Sequence, residues 1–230
     1  MDYHIGLGPT DLTLTFAQSL DGKLAGALGS PVALSCRESM LMTHWLRSHH
    51  KGILIGVNTA VNDDPQLNTR LLDGTFDNPQ PIVLDTSLRF PLSAKLLANY
   101  AAGAGKQPWI VSSPSPGLDR AWLDRKAALE QAGARIVEVP DTRDIPTIVH
   151  HLRQLGIQSL MVEGGAQIIR SFLRAHSTHP IVDNLIITVA PTFIGKDGVG
   201  YELDRDIVNL AFQRSFPLGR DTVMVFKPNV

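Results

Sequence analysis

Chemistry-bearing side chains concentrate in the segment from Leu54 to Arg70, LIGVNTAVNDDPQLNTR. The apolar run Ile53-Leu54-Ile55, with Val57, predicts a buried strand. Gly56 admits close approach to its backbone, and Thr59 is placed to cap a short helical turn beyond the strand. Such a turn leaves N–H groups and a hydroxyl facing outward. Asp63-Asp64-Pro65 ends it, because Pro65 disfavours α geometry at Asp64. Arg70 adds a permanent positive charge. Two other strand ends repeat the pattern: Asp85-Thr86-Ser87 follows PIVL, and Gly164-Gly165 follows SLMVE. A glycine pair at a strand-to-helix junction lets a phosphate reach the helix N-terminus, where the dipole and free N–H groups favour anions. Open α/β sheets hold their ligands at such C-terminal strand ends. Taken singly, each stretch also fits a plain strand, turn and loop, so the elements that carry them matter.

Strands and helices alternate along the chain. Leu12–Phe16 (LTLTF) predicts the first strand, Asp21-Gly22 a tight turn, and Gly26 with Gly29 a flexible loop. Ser35-x-x-Glu38 has capping-box spacing for a helix carrying Met40, Leu41, Trp45 and Leu46 on one face. Arg47 lies near the end of that helix, where a surface position is the ordinary one for arginine. Further strands are predicted at Pro81–Leu84, Trp109–Val111, Arg135–Val139 and Ser159–Glu163. Helices are predicted at Leu92–Tyr100, Asp119–Ala132, Ile145–Leu155 and Ala166–Leu173, with Gly133 and Gly156 as stops. This alternation argues for an α/β fold with a largely parallel sheet covered by helices on both faces. From Val182 the pattern changes. Asn184–Val189 predicts a strand, Ile194 to Gly198 a mobile loop, and Ile207–Gln213 with Thr222–Phe226 an antiparallel edge. No repeat or linker interrupts the chain, so residues 1–230 are expected to form a single domain.

Composition narrows the function. The 230 residues are 43% hydrophobic and 19% charged with a formal net charge of −1, so no global field draws in nucleic acid or an anionic membrane. Any anionic ligand must be met locally. One cysteine, Cys36, excludes an internal disulfide framework and a multi-thiolate zinc site, and points to a reducing compartment. The N-terminus lacks a secretory pattern, and no apolar run reaches membrane-span length, so a cytoplasmic location is expected. His44, His49, His50, His150, His151, His176 and His179 show no metal-binding spacing, so no metal is expected. The glycine run before Lys106 lacks the spacing of a phosphate loop, and there is no nucleophile elbow.

Taken together, several segments resemble the pyrimidine reductases of riboflavin biosynthesis. They are SLDGK (19–23), MTHWLR (42–47), Ile53 to Thr59 with Asp63-Asp64-Pro65 and Arg70, VLD (83–85), VEGG (162–165) and APTFIG (190–195). They follow the family's order from about residue 12 to 200, and THWLRSHH followed by GILIGVNT is similar to the free-standing fungal enzymes. The resemblance implies a dihydrofolate-reductase-like fold, a homodimer, and hydride transfer from NADPH. The implied substrate is 2,5-diamino-6-ribosylamino-4(3H)-pyrimidinone 5′-phosphate, whose ring-opened sugar amine is reduced to the ribitylamino product. The protein's share of that chemistry is mostly positioning.

By the same resemblance, Thr59, Asp63, Thr86 and the run Gly164, Gly165, Ala166, Gln167, Ile168 match cofactor-contacting positions. Arg47, Arg70 and Glu163 match substrate-side positions. Guanidinium groups suit a ribose phosphate, and a carboxylate accepts from the amino groups of a diaminopyrimidine. Asp63 and Glu163 are the carboxylates expected to take part in catalysis, with Lys23 and water as further proton donors. Two departures stand out: Lys51 where the family commonly has Asp, and Ala33 where many bacterial members carry Trp. They leave open a paralogous reductase of another imine or carbonyl, or a non-catalytic NADPH-binding paralogue.

Overall fold

The computed structural model describes residues 3–74, 76–114, 119–203 and 208–228. Its centre is a nine-stranded sheet in the order β10-β11-β8-β1-β7-β3-β4-β5-β6. These strands are β1 (Leu12–Gln18), β3 (Gly52–Gly56), β4 (Gln80–Leu84), β5 (Trp109–Ser112), β6 (Arg135–Glu138), β7 (Leu160–Glu163), β8 (Asn184–Val189), β10 (Leu210–Leu218) and β11 (Asp221–Pro228). The run from β8 to β6 is parallel throughout, while β11 pairs antiparallel with β8 and with β10. Helices α1 (Arg37–Ser48), α2 (Val57–Asp63), α3 (Lys95–Ala101), α4 (Arg120–Gln131), α5 (Ile145–Gln154) and α6 (Ala166–Thr178) connect the strands.

Burial on both faces explains the strand composition. Ile53, Leu54 and Ile55 of β3 are at most 1% exposed, and alternate residues join two different apolar clusters. One cluster joins Leu54, Ile82 and Val162 to Ile148, Leu152, Ile169 and Phe172 of α5 and α6. The other joins Ile53, Ile55 and Val83 to Leu96, Leu97, Trp122 and Leu129 of α3 and α4. Strand β7, late in the chain, is inserted between β1 and β3. The C-terminal ends of β7, β3 and β4 therefore share one rim.

Several local expectations are corrected. Val57 begins α2 rather than ending β3, with Gly56 as N-cap, so Thr59 sits inside the first helical turn and does not cap it. Asp64 does leave the helix, in the left-handed region at φ 42°. The capping box is also absent: α1 starts at Arg37 behind Cys36, which makes no side-chain cap. The buried Asp221, at the start of β11, replaces it, its Oδ2 accepting from Cys36 N at 2.8 Å and Ser39 Oγ at 2.6 Å. The stretch containing Gly26 is a strand, β2 (Lys23–Ala27), paired antiparallel with β9 (Gly198–Gly200).

The segment expected to be a mobile loop is held by Asp21. Its carboxylate accepts from Ile194 N at 3.1 Å and Gly195 N at 2.7 Å. The Ser19 hydroxyl, then the Gly195 and Ile194 N–H groups, hold the Asp21 pKa down at about 2. The edge hairpin is present, with β10 running on to Leu218; Ile207, the first residue of the predicted strand, lies outside the described residues. No helix among the described residues is long and apolar enough to cross a membrane.

Candidate active site

A cleft of about 1130 Å³ opens along the C-terminal rim of the sheet. Its lining begins at Thr188 of β8 and Thr15 of β1, passes Glu163 and Gly56, and reaches Thr86 and Thr142 beyond β4 and β6. Of the residues singled out in the sequence, Thr59, Asp63, Thr86, Arg47, Glu163 and the run Gly164 to Ile168 all face this one cleft.

Glycine backbones make the middle of the cleft. A Cβ on Gly56 would stand 2.7 Å from Ile168 Cγ1, so only glycine lets α6 close on the end of β3. A Cβ on Gly165 would stand 2.8 Å from Thr59 Oγ1. The first turns of α2 and α6 are thereby brought together. Asn58 Nδ2 donates to Gln167 Oε1 at 3.1 Å and links the same two turns. Gly165 is the N-cap of α6 and offers no side-chain cap, so the orphan N–H groups of the first turn remain for an anionic ligand. This is a fitting cradle for a dinucleotide pyrophosphate.

On one side of the cradle stands a bidentate ion pair. Arg47 Nε and Nη2 donate to Glu163 Oε1 and Oε2, each at 2.7 Å, and Nη1 donates to Asn68 O at 3.1 Å. The helical repeat brings Met40, Thr43 and Arg47 of α1 to the cleft wall. Burial opposes the charge on Arg47, but Glu163 more than restores it and raises the pKa. Of the five guanidinium N–H groups three are used, leaving two. Each Glu163 oxygen likewise keeps a lone pair. Arg47 and Glu163 are thus one charged unit with donors and acceptors to spare.

Arg70 is not brought into the cleft lining. It is exposed, donates from Nη1 to Asn68 Oδ1 at 3.0 Å, and stands near enough to Arg47 to feel its charge. Partial burial, then Arg47, lowers its pKa, with Glu163 opposing. Lys23 is likewise outside the lining. Asp63 is exposed at the cleft mouth, yet the walls around it strip enough water to raise its pKa above the usual carboxylate value.

Some residues in or beside the cleft were given no role by the sequence reading. His44, one position along α1 from the cleft-lining Thr43, is fully buried, and neither ring nitrogen has a partner. Burial, then the charges of Arg47 and Arg70, lower its pKa to about 4, so it is neutral. At the far end, Thr142 Oγ1 is hydrogen-bonded to Thr86 Oγ1 at 2.6 Å, and Arg89 Nη2 donates to Asn58 Oδ1 at 2.7 Å. The strand-end rule that picks out Thr86 also reaches Thr142 and Arg143, which follow β6. Lys51 sits at the opposite end of β3, exposed and 4.0 Å from Asp77, so its departure from the family pattern does not touch the cleft. Among the described residues no group of three or more His, Cys, Asp or Glu could hold a metal ion.

The model of the RibD C-terminal domain family matches residues 10–224, nearly the whole chain. The chain belongs to that family. It is 39% identical over 201 residues, 82% of this chain and 77% of the relative, to the 2,5-diamino-6-ribosylamino-4(3H)-pyrimidinone 5′-phosphate reductase of Debaryomyces hansenii. Among solved structures it is similar to the riboflavin biosynthesis reductase Rib7 of Saccharomyces cerevisiae. The TM-score is 0.74 at 29% identity, covering 96% of this chain and 91% of that one. The dihydrofolate reductase of Enterococcus faecalis, at TM-score 0.51 and 13% identity over 96% of this chain and 98% of that one, shares the fold alone. This RibD C-terminal domain chain therefore has the dihydrofolate-reductase-like architecture that the resemblance implies.

Proposed function

We propose that the cleft reduces the ribosylamino group of 2,5-diamino-6-ribosylamino-4(3H)-pyrimidinone 5′-phosphate to the ribitylamino product, with NADPH as reductant. The observation that carries this reading is the adjacency of Glu163 and Gly164. One residue belongs to the charged pair with Arg47, and the next opens the glycine cradle at α6. A substrate held by the first is thereby set against a dinucleotide held by the second. The reductase named for Debaryomyces hansenii, at 39% identity, supports the choice of substrate.

When bound, the reduced nicotinamide supplies the hydride. The chain's residues hold and orient what it reacts with. The spare Glu163 lone pairs accept from the pyrimidine amino groups, while the spare Arg47 N–H groups face the sugar phosphate. Thr59 and Gly164 to Ile168 hold the dinucleotide at the rim, with Thr86 further along it. Reduction of a C=N bond adds hydride at carbon and a proton at nitrogen. Asp63, held toward its protonated form at the cleft mouth, is the proton source on this reading. On this reading the enzyme is also a cytoplasmic homodimer, which the composition and the family resemblance support.

The test is spectrophotometric. Purified protein given NADPH and the ribosylamino pyrimidine is expected to consume the reduced nicotinamide, and the gene to rescue a riboflavin-requiring mutant. Tight NADPH binding without turnover of this pyrimidine would transfer the assignment to another imine or carbonyl.

A further inference from the structure

The far end of the cleft is more elaborate than a passive groove needs. Thr142 N donates to Ser113 Oγ at 2.9 Å, Ser113 Oγ donates to Thr142 Oγ1 at 3.3 Å, and Thr142 Oγ1 meets Thr86 Oγ1 at 2.6 Å. These bonds fold the loop after β6 back past β5 to the end of β4. Strand β4 is two strand spacings from β7, about 10 Å along the rim from the α6 cradle. A dinucleotide whose pyrophosphate sits at α6 would lay its adenosine arm in this direction, away from Arg47 and Glu163.

Arg143 stands next to Thr142 and lines the same cleft. Its backbone N–H is fixed by Asp141 Oδ1 at 2.9 Å, but its guanidinium has no partner among the described residues. The neighbouring Asp144 is occupied as the α5 cap, accepting from Thr147 N at 3.1 Å and Thr147 Oγ1 at 2.6 Å. Arg89, the other guanidinium at this end, is tied to Asn58. A fixed backbone thus presents an uncommitted guanidinium fork beside two hydroxyls. Planar forks of this kind match the oxygens of a phosphate monoester.

We propose that Arg143, with the hydroxyls of Thr86 and Thr142, reads the 2′-phosphate that distinguishes NADPH from NADH. The proposal rests on the reductase reading and names the residue that sets its cofactor preference. The substrate also carries a phosphate monoester, and affinities separate the two sources. Calorimetry with NADPH, NADH, 2′,5′-ADP and 5′-AMP is run on the wild type and on Arg143→Ala. Loss of one charge-assisted contact is expected to weaken NADPH and 2′,5′-ADP about tenfold and to leave NADH and 5′-AMP unchanged. An unchanged NADPH-to-NADH ratio in the variant overturns the proposal, as does a loss confined to the phosphorylated pyrimidine. Failure of the wild type to bind either dinucleotide overturns the reductase reading along with it.

Discussion

Arg47 and Glu163 lie 116 residues apart in sequence and meet through two charge-assisted bonds of 2.7 Å. If they act as one unit, their removal must be strongly non-additive. The Arg47 side chain is 8% exposed and that of Glu163 19%. Breaking a fully buried pair by deleting one partner costs about 3–5 kcal/mol. The cleft lets water reach Glu163, so Glu163→Gln is expected to cost less, about 2–3 kcal/mol, with Arg47 left buried and partly unpaired. Arg47→Met leaves its charge on the more accessible partner and should cost about 1–2 kcal/mol. The double variant strands neither charge, so the coupling should be about 2 kcal/mol. Urea unfolding of the four proteins at neutral pH measures it, and repetition at higher salt should change it little, because the pair is poorly screened. A coupling below about 0.5 kcal/mol would mean independent residues, and the single charged unit at the cleft wall would have to be abandoned.

Two further outcomes follow from the same rim. His44 is neutral and buried with a pKa of about 4, so the unfolded chain takes up a proton that the folded one refuses as pH falls below the ordinary histidine value. Against a His44→Leu control, the wild type should lose about 2 kcal/mol by about pH 5 and show no relative change above about pH 7.5; parallel stability curves would contradict a depressed pKa. Gly56→Ala places a methyl 2.7 Å from Ile168 Cγ1 and should cost about 1–3 kcal/mol, and less when it is made in an Ile168→Ala background. Thermal unfolding checks it, and an unaffected single variant would show that α6 does not close on β3 as described.

The sheet was legible because a strand buried on both faces leaves a continuous apolar run, as in Ile53-Leu54-Ile55 and PIVL. The parallel order was legible because helical patterns separate those runs. The ends of elements were not. Thr59 has a capping side chain, yet Gly56 takes the N-cap, because only a residue without Cβ fits against Ile168. Ser35 and Glu38 have the capping spacing, yet the first turn of α1 is served by Asp221, a long-range partner that no local pattern encodes. The β2–β9 pairing was missed for a similar reason. Gly26 reads locally as flexible, while the order of that region comes from pairing with Gly198–Gly200 and from Asp21 gripping Ile194 and Gly195.

The candidate site divides along the same line. In a parallel sheet every strand end of one polarity reaches one rim, so a rule about strand ends locates Thr59, Thr86 and Gly165 together without knowledge of strand order. Which charges pair on that rim depends on order, and order here turns on β7 returning between β1 and β3. That insertion sets Glu163 opposite the end of α1 and binds it to Arg47, while Arg70, from the loop after α2, is left outside the lining. The family resemblance put Arg47 and Arg70 alike at substrate-side positions. The topology gives them different work: one is locked against a carboxylate at the cleft wall, and the other lends its field from the surface.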